Sequence, residues 1–334
     1  MKKPPVLFCA LLGALSFSSC KKAEEAKAGK FTLVGTKTDG GQPVTAKSNA
    51  ESALLANPDL AAMVGLYGYN APQCLEALKQ ADKGTGKLLG KIKIFGFDDD
   101  DGTLQGIKDG HIEATIVQQP FEFGYQSMKA LKDLSEGKSI DSKGGIVTIP
   151  IKVITKNEVE SYDVQLKAML AASRVAPAAT ATGPLFAFVS NNQTSFWEVA
   201  RAGCYKAQAD LGIRVDFQMP ALQEVSEQNR ILESLLVKGE CKGVAISVVS
   251  PPAQAGLLKQ VSDKMPLVTH DSDAPDSARK AYFGTDNYQA GRALGKFMRE
   301  RMPDGGKIMI FVGTEDAQNA SERKRGLLDV LKEG

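Results

Sequence analysis

Four polar residues stand where an open α/β sheet could put them to use. Asp98, Asp271, Asn70 and Gln118 each close a short apolar run that reads as a strand, such as KIKIFGF before Asp98 and PLVTH before Asp271. Ligands of such sheets sit beyond the carboxyl ends of the strands. Ionised carboxylates only accept hydrogen bonds, whereas amides donate and accept, so this set suits a ligand rimmed with hydroxyl groups. Each hydrogen bond to a charged group contributes about 1.5–3 kcal/mol. The flat C–H face of a ring needs an apolar partner, which Phe196 and Trp197, the only tryptophan, could supply. A place in the core is the alternative for Trp197.

Asp98 and Asp271 could also be offered as the two carboxylates of a glycosidase. The chain has no G-x-S-x-G, H-E-x-x-H or phosphate-loop motif, and no G-x-G-x-x-G opening a helix after a strand. Its two histidines, His111 and His270, have no metal-ligand spacing around them. No catalytic residue, cofactor or metal is therefore expected. The run Asp98 to Asp101 before Gly102 is not a calcium loop, because the spacing would begin at Phe97 and place Lys108 at its twelfth position. Acidic residues at a helix N-terminus explain it better.

Elements must position these groups. The chain has 334 residues, 43% hydrophobic and 24% charged, which suits two soluble domains with sizeable cores. Strands are predicted at 30–36, 61–67, 91–97 and 114–118, with helices at 46–56, 72–80, 104–109 and 125–135 between them. A second series has strands at 185–190, 214–218, 243–248, 266–271, 282–285 and 307–313. Its helices fall at 197–211, 223–238, 253–262, 288–301 and 320–332. Such alternation predicts parallel sheets. The segment 146–155, interrupted by Pro150, reads as an edge strand or a connection, and the Ala-, Thr- and Pro-filled stretch 171–184 as a linker.

The N-terminus reads as an export signal: Lys2 and Lys3, a short apolar run from Val6 to Phe17, then Ser18-Ser19-Cys20. Phe17 to Cys20 resembles a bacterial lipobox, which implies acylation of Cys20 and a flexible tether over 20–29. The expected location is outside the cytoplasm, attached to a membrane by lipid. Loss of Lys2 and Lys3 from 41 basic and 39 acidic residues leaves the charges balanced, so no nucleic-acid partner is expected. Cys74, Cys204 and Cys241 remain; export permits a Cys204–Cys241 disulfide, and burial as small core residues is the other reading.

SNNQTSFW at 190–197, the Asp271 strand PLVTHDSD, the turn Gly284 to Asn287 and NASERKRG at 319–326 together resemble the sugar-binding receptors of ABC importers, in particular the ribose-binding protein family. LYGYNAP around Asn70, IFGFDDDDG around Asp98 and ATIVQQP around Gln118 resemble the rest of that family, but there these motifs come last. The chain therefore looks circularly permuted. The resemblance implies two doubly wound parallel-sheet lobes joined by a three-segment hinge, the type I periplasmic binding fold. Residues 30–118 and 286–334 would form one lobe, 119–147 and 185–285 the other, and 148–184 the hinge crossing and permutation linker.

By the same resemblance Asp271 and Asp98 are hydroxyl-binding carboxylates, Asn70 and Gln118 supply amides, and Phe196 and Trp197 stack on the ring. Ser190, Asn192, Thr194, Asn319 and Arg323 are further candidates. Ser272 and Ser247 stand where ribose binders have arginine and asparagine, and Ser321 lies near the place of a second ligand arginine. Losing bidentate donors points away from ribose toward another monosaccharide or polyol. The implied function is a monomeric solute receptor serving an ABC importer permease, with a sugar sensor that signals to a membrane protein as the alternative. A DNA-binding relative of this fold would need a helix-turn-helix where the export signal stands.

Overall fold

Runs such as LAAMVG, KIFGF, LFAFV and CKGVAI carry almost no polar side chain, and they become strands covered on both faces. The amphipathic stretches between them become the covering helices. The computed structural model describes residues 27–28, 30–175 and 182–333. Its elements begin β1 Lys27–Ala28, β2 Phe31–Thr38, α1 Pro43–Ala56, β3 Leu60–Gly65, α2 Asn70–Asp82, β4 Lys93–Phe97, α3 Asp101–Asp109, β5 Ala114–Val117 and α4 Pro120–Ser135. Then come β6 Ile146–Thr148, β7 Lys152–Thr155, α5 Val159–Ser173, β8 Leu185–Val189, α6 Ser195–Leu211, β9 Arg214–Gln218 and α7 Val225–Lys238. The chain finishes with β10 Cys241–Ile246, α8 Pro251–Lys264, β11 Leu267–His270, β12 Tyr282–Gly284, α9 Asn287–Arg301, β13 Gly306–Val312 and α10 Gln318–Lys332.

Two sheets result. The first runs β1-β2-β13-β3-β4-β5-β7 and the second β6-β12-β11-β10-β8-β9. Pairing is parallel except at β1 with β2 and β5 with β7. In the second sheet, apart from the edge strand β6, the chain starts at β8, adds β9 on one side and then β10, β11 and β12 in turn on the other. The first sheet has the same order only when counted from the last strand: β13, then β2, then β3, β4 and β5. Each sheet is thus a doubly wound unit, and the two are out of step in the sequence by the position of β13.

Helix packing repeats the correspondence. A Cβ on Gly291 of α9 would lie 2.1 Å from the Arg323 carbonyl of α10, and one on Gly326 of α10 2.0 Å from the Tyr288 carbonyl of α9. On the second sheet Gly124 of α4 and Gly203 of α6 meet in the same reciprocal way. Only glycine lets these backbones approach so closely.

Four segments pass between the two units: β5 to α4, β6 to β7 around Pro150 and β12 to α9, at the places expected of a three-segment hinge, and in addition α5 to β8, through the stretch read as a linker. Pro150 explains why 146–155 is split, since the ring removes a ladder donor at the point where the chain changes sheet. The region 148–184 is more structured than its composition suggests, because it contains β7 and α5. Val159, Tyr162 and Leu166 of α5 are buried in a core shared with Ile94, Leu104 and Ile107 of the first unit. Within the segment read as a tether, Lys27–Ala28 pairs with β2. The export signal, Cys20 and residues 176–181 lie outside the described residues.

Cys74, Cys204 and Cys241 are free and buried, so the core alternative holds and the Cys204–Cys241 disulfide is not formed. Burial raises the pKa of all three thiols. These three thiols should stay silent toward an aromatic disulfide reagent in the native protein and react once denaturant is added; rapid labelling of any of them under native conditions would contradict this packing.

Candidate functional site

Asp98 and Asp271 occupy equivalent positions. Each follows the fourth strand of its unit, β4 or β11, and each has left-handed backbone, with φ of 60° and 57°. The Asp98 amide donates to the Ile116 carbonyl at 2.8 Å and the Asp271 amide to the Phe283 carbonyl at 3.1 Å, both acceptors lying on the next strand. Their carbonyls are held alike, by the Thr115 hydroxyl at 2.6 Å and the Tyr282 hydroxyl at 2.8 Å. Aspartate tolerates αL better than most residues, yet the conformation still costs energy for a side chain with a Cβ. Neighbouring-strand bonds make up the difference at both turns.

Asp271 lies on the wall of a cleft of about 920 Å³ between the carboxyl ends of the two sheets. Ser272, Asn191 and Tyr282 share its wall, while Tyr67, Thr314 and Asn319 face it from the first unit. The Asp271 carboxylate accepts from the Ser247 and Ser272 hydroxyls at 3.1 and 3.3 Å. Burial pushes its pKa up to about 6; the serine bonds and Arg323 pull it down, and the Asp98 charge raises it further.

Asp98 accepts from the Gln118 amide at 3.1 Å, which puts Gln118 beside the crossing from β5 to α4. Arg323 is buried and already engaged: it donates to Asn287 at 2.9 Å and to the Leu66 carbonyl at 2.8 Å, with its guanidinium 4.6 Å from the centre of the Phe97 ring. Asn319 accepts from the Tyr67 hydroxyl at 3.2 Å.

Of the sequence candidates, Asp271, Ser272 and Asn319 line the cleft; Asp98, Gln118 and Arg323 do not, and the remaining candidates also lie elsewhere. Trp197 is 2% exposed, packed edge-on against Phe188 and His270, and its indole N–H donates to Asn191 at 3.1 Å. The ring therefore supports the cleft from within the core instead of presenting a face to it, and the core alternative is the correct one in this conformation. Phe196 packs on Phe123 in the same core. Asn70 is fully buried, with its amide donating to Asp39 at 2.9 Å and its carbonyl accepting from the Tyr67 amide at 3.1 Å, so it shapes the turn before α2 and is closed off from the cleft. The Ser190 hydroxyl is buried and donates to the Asn192 carbonyl, and Thr194, at the N-cap position of α6, donates its hydroxyl to the Asn192 side-chain carbonyl and makes no side-chain bond to the helix end.

Asn191, Tyr67 and Tyr282 are cleft residues that the sequence reasoning missed. Asn191 had a signal, since it adjoins Ser190 at the end of a predicted strand. His270 is neutral in the core, its pKa pushed down to about 3 by burial, and stacks on Phe188 at 4.0 Å.

A family model described as "Periplasmic binding protein domain" matches residues 17–139 and 186–334. The ribose import binding protein RbsB of Bacillus subtilis (strain 168) is 31% identical over 106 residues, 32% of this chain and 32% of its own length. The protein of the same name from Haemophilus influenzae is 28% identical over 106 residues, 32% of this chain and 33% of its own length. The chain thus spans about a third of the length of these curated relatives. A solved ABC transporter solute-binding protein from Burkholderia graminis C4D1M, in complex with D-arabinose, is 28% identical with a TM-score of 0.42, covering 46% of this chain and 53% of that one. GanP, a glucose-galactose binding protein from Geobacillus stearothermophilus, is 28% identical with a TM-score of 0.40, covering 45% of this chain and 54% of that one.

The raised pKa of Asp271 fixes the sign of a stability effect. A carboxyl whose folded pKa exceeds its unfolded value of 3.8 stabilises the fold below that value and loses this contribution as pH rises through about 6. Asp271→Asn should therefore raise the melting temperature of the ligand-free protein at neutral pH, by an increment that shrinks toward about pH 4. Equal or lower stability of the variant at neutral pH would contradict the burial of this charge.

Proposed function

The chain belongs to the periplasmic binding protein domain family, and from that premise we propose that it is an extracytoplasmic solute receptor that closes two lobes around a monosaccharide or related polyol and delivers it to an ABC importer permease. One observation carries this reading: Asp271 stands in a left-handed turn on the wall of the cleft, and Asp98 stands in the matching turn at the equivalent strand end of the other unit. Acceptors set at equivalent strand ends of two separate lobes can hold hydroxyls on opposite sides of one small ring. Serines 247 and 272 leave the second lobe without an arginine at Asp271, which favours a neutral polyhydroxyl ligand other than ribose.

Residues 30–118 with 286–334 form one lobe in this proposal and 119–147 with 185–285 the other. The chain order is read as a circular permutation, supported by the two sheets' matching order when the first is counted from β13. Ligand binding is then a population shift, limited by how much better the closed form holds the sugar than the open form does. Cys20 is proposed as the lipid attachment and the cell envelope as the location. No described helix is long and apolar enough to cross a membrane.

A thermal-shift panel of pentoses, hexoses, deoxysugars, polyols and nucleosides should show one strong stabiliser, since a ligand of the native state alone adds about 2.7 kcal/mol at a hundredfold excess over its Kd. Asp98→Ala and Asp271→Ala should each weaken that ligand by about 10- to 100-fold in calorimetry, with the far-ultraviolet spectrum unchanged. Wild-type affinity in both variants would overturn the site, and no stabiliser in the panel would overturn the sugar reading. Cells fed a labelled fatty acid should label the wild-type protein and not Cys20→Ser; equal labelling of both would refute the anchor.

A further inference from the structure

We propose that α5 belongs to the binding machinery and that Tyr162 is a positioning residue for Asp98. The inference rests on the receptor reading for its consequence, though not for its geometry. Helix α5 lies in 140–185, between the two stretches matched by the family model.

Tyr162 is 7% exposed, its ring fixed beside Val159 and Leu166 in the core of the first unit. Its hydroxyl donates to the Asp99 carboxylate at 2.6 Å. Asp99 is the immediate neighbour of Asp98, so the bond clamps the second residue of the left-handed turn while Ile116, Thr115 and Gln118 clamp the first. Burial pushes the Asp99 pKa up to about 6; Tyr162 lowers it, and the charges of Asp98 and Asp100 raise it. Without the tyrosine donor, a half-buried carboxylate would lose its side-chain partner beside the charge of Asp98. Such a group swings out or takes a proton, and either change moves the turn that sets Asp98.

The other end of α5 reaches the second unit. The Ser173 hydroxyl donates to Glu198 at 3.0 Å, and the Arg201 side chain donates to the Ser173 carbonyl at 3.0 Å, both partners lying on α6. One helix therefore touches the Asp98 turn at one end and the opposite unit at the other. Any rotation of the lobes loads the contact that holds Asp98.

The test uses full-length Tyr162→Phe, Asp99→Ala, the double variant and Asp99→Asn, whose side-chain oxygen can still accept from Tyr162. In ligand-free protein, amide hydrogen exchange over 98–101 should be faster in Tyr162→Phe than in wild type, and unchanged over 271–274. Binding of the panel's best sugar should weaken about tenfold in Tyr162→Phe and in Asp99→Ala, no further in the double variant, and stay near wild type in Asp99→Asn. Wild-type exchange over 98–101 in Tyr162→Phe, or equal acceleration over both turns, would overturn the proposal. So would additive losses in the double variant. If no sugar binds wild type, the receptor reading fails, while the exchange comparison still decides whether Tyr162 positions the turn.

Discussion

The candidate site depends on two aspartates kept in a backbone conformation that L-residues avoid, Asp271 on the cleft wall and Asp98 at the matching strand end of the other unit. The left-handed turn re-aims the chain as it leaves β4 and β11, so the residue that ends each strand sits at the sheet's open end. Both turns are held by an amide bonded to the neighbouring strand and a carbonyl bonded by a neighbouring hydroxyl. The cost of each turn, roughly 1–2 kcal/mol for a residue with a Cβ, is offset locally. Burial of Asp271 adds a second cost, since its charge is desolvated beside Asp98 and is only partly compensated by two serines and Arg323. A ligand that brings hydroxyl donors to these acceptors relieves that penalty. The unliganded site is destabilising for the same reason that it is useful.

Much of this was legible in the sequence. Strand ends were predictable because fully covered parallel strands read as apolar runs, and a polar residue closing such a run is visible without a structure. Asp98 and Asp271 were found that way. The fates of Asn70 and Trp197 were not, because both are decided by partners distant in sequence or by packing. Asn70 is buried with its amide turned to Asp39, 31 residues away, and Trp197 buries its ring against Phe188 and His270. A residue type and its strand end do not reveal whether its hydrogen-bonding capacity is already spent.

Helix α5 was missed for a related reason. Its sequence, VESYDVQLKAMLAAS, buries Val159, Tyr162 and Leu166 in the core of the first unit, with Met169 and Leu170 half-buried against them, and the rest of the helix is small or polar apart from the exposed Val164. Its stability comes from the tertiary contacts of Tyr162 with Asp99 and of Asp163 with Lys108, which link positions 63 and 55 residues apart. Packing supplies most helical stability in proteins, so a helix whose partners are remote leaves little local trace.

The chain order explains why such a helix is needed. With β13, the strand from which the first sheet's order counts, last in the chain, β7 is joined to β8, which lies beside the edge strand β9 of the other sheet. A free loop could have made that connection at small entropic cost, because closure entropy grows slowly with length. A helix bonded to both units does something a loop does not: it adds contacts whose strength depends on the angle between them. Apparent affinity is the intrinsic affinity scaled by the fraction of molecules in the competent arrangement. Whichever arrangement preserves both the Tyr162–Asp99 and the Ser173–Arg201 contacts gains population, so in the proposed receptor α5 would act on affinity through the balance of arrangements as well as through the turn that carries Asp98.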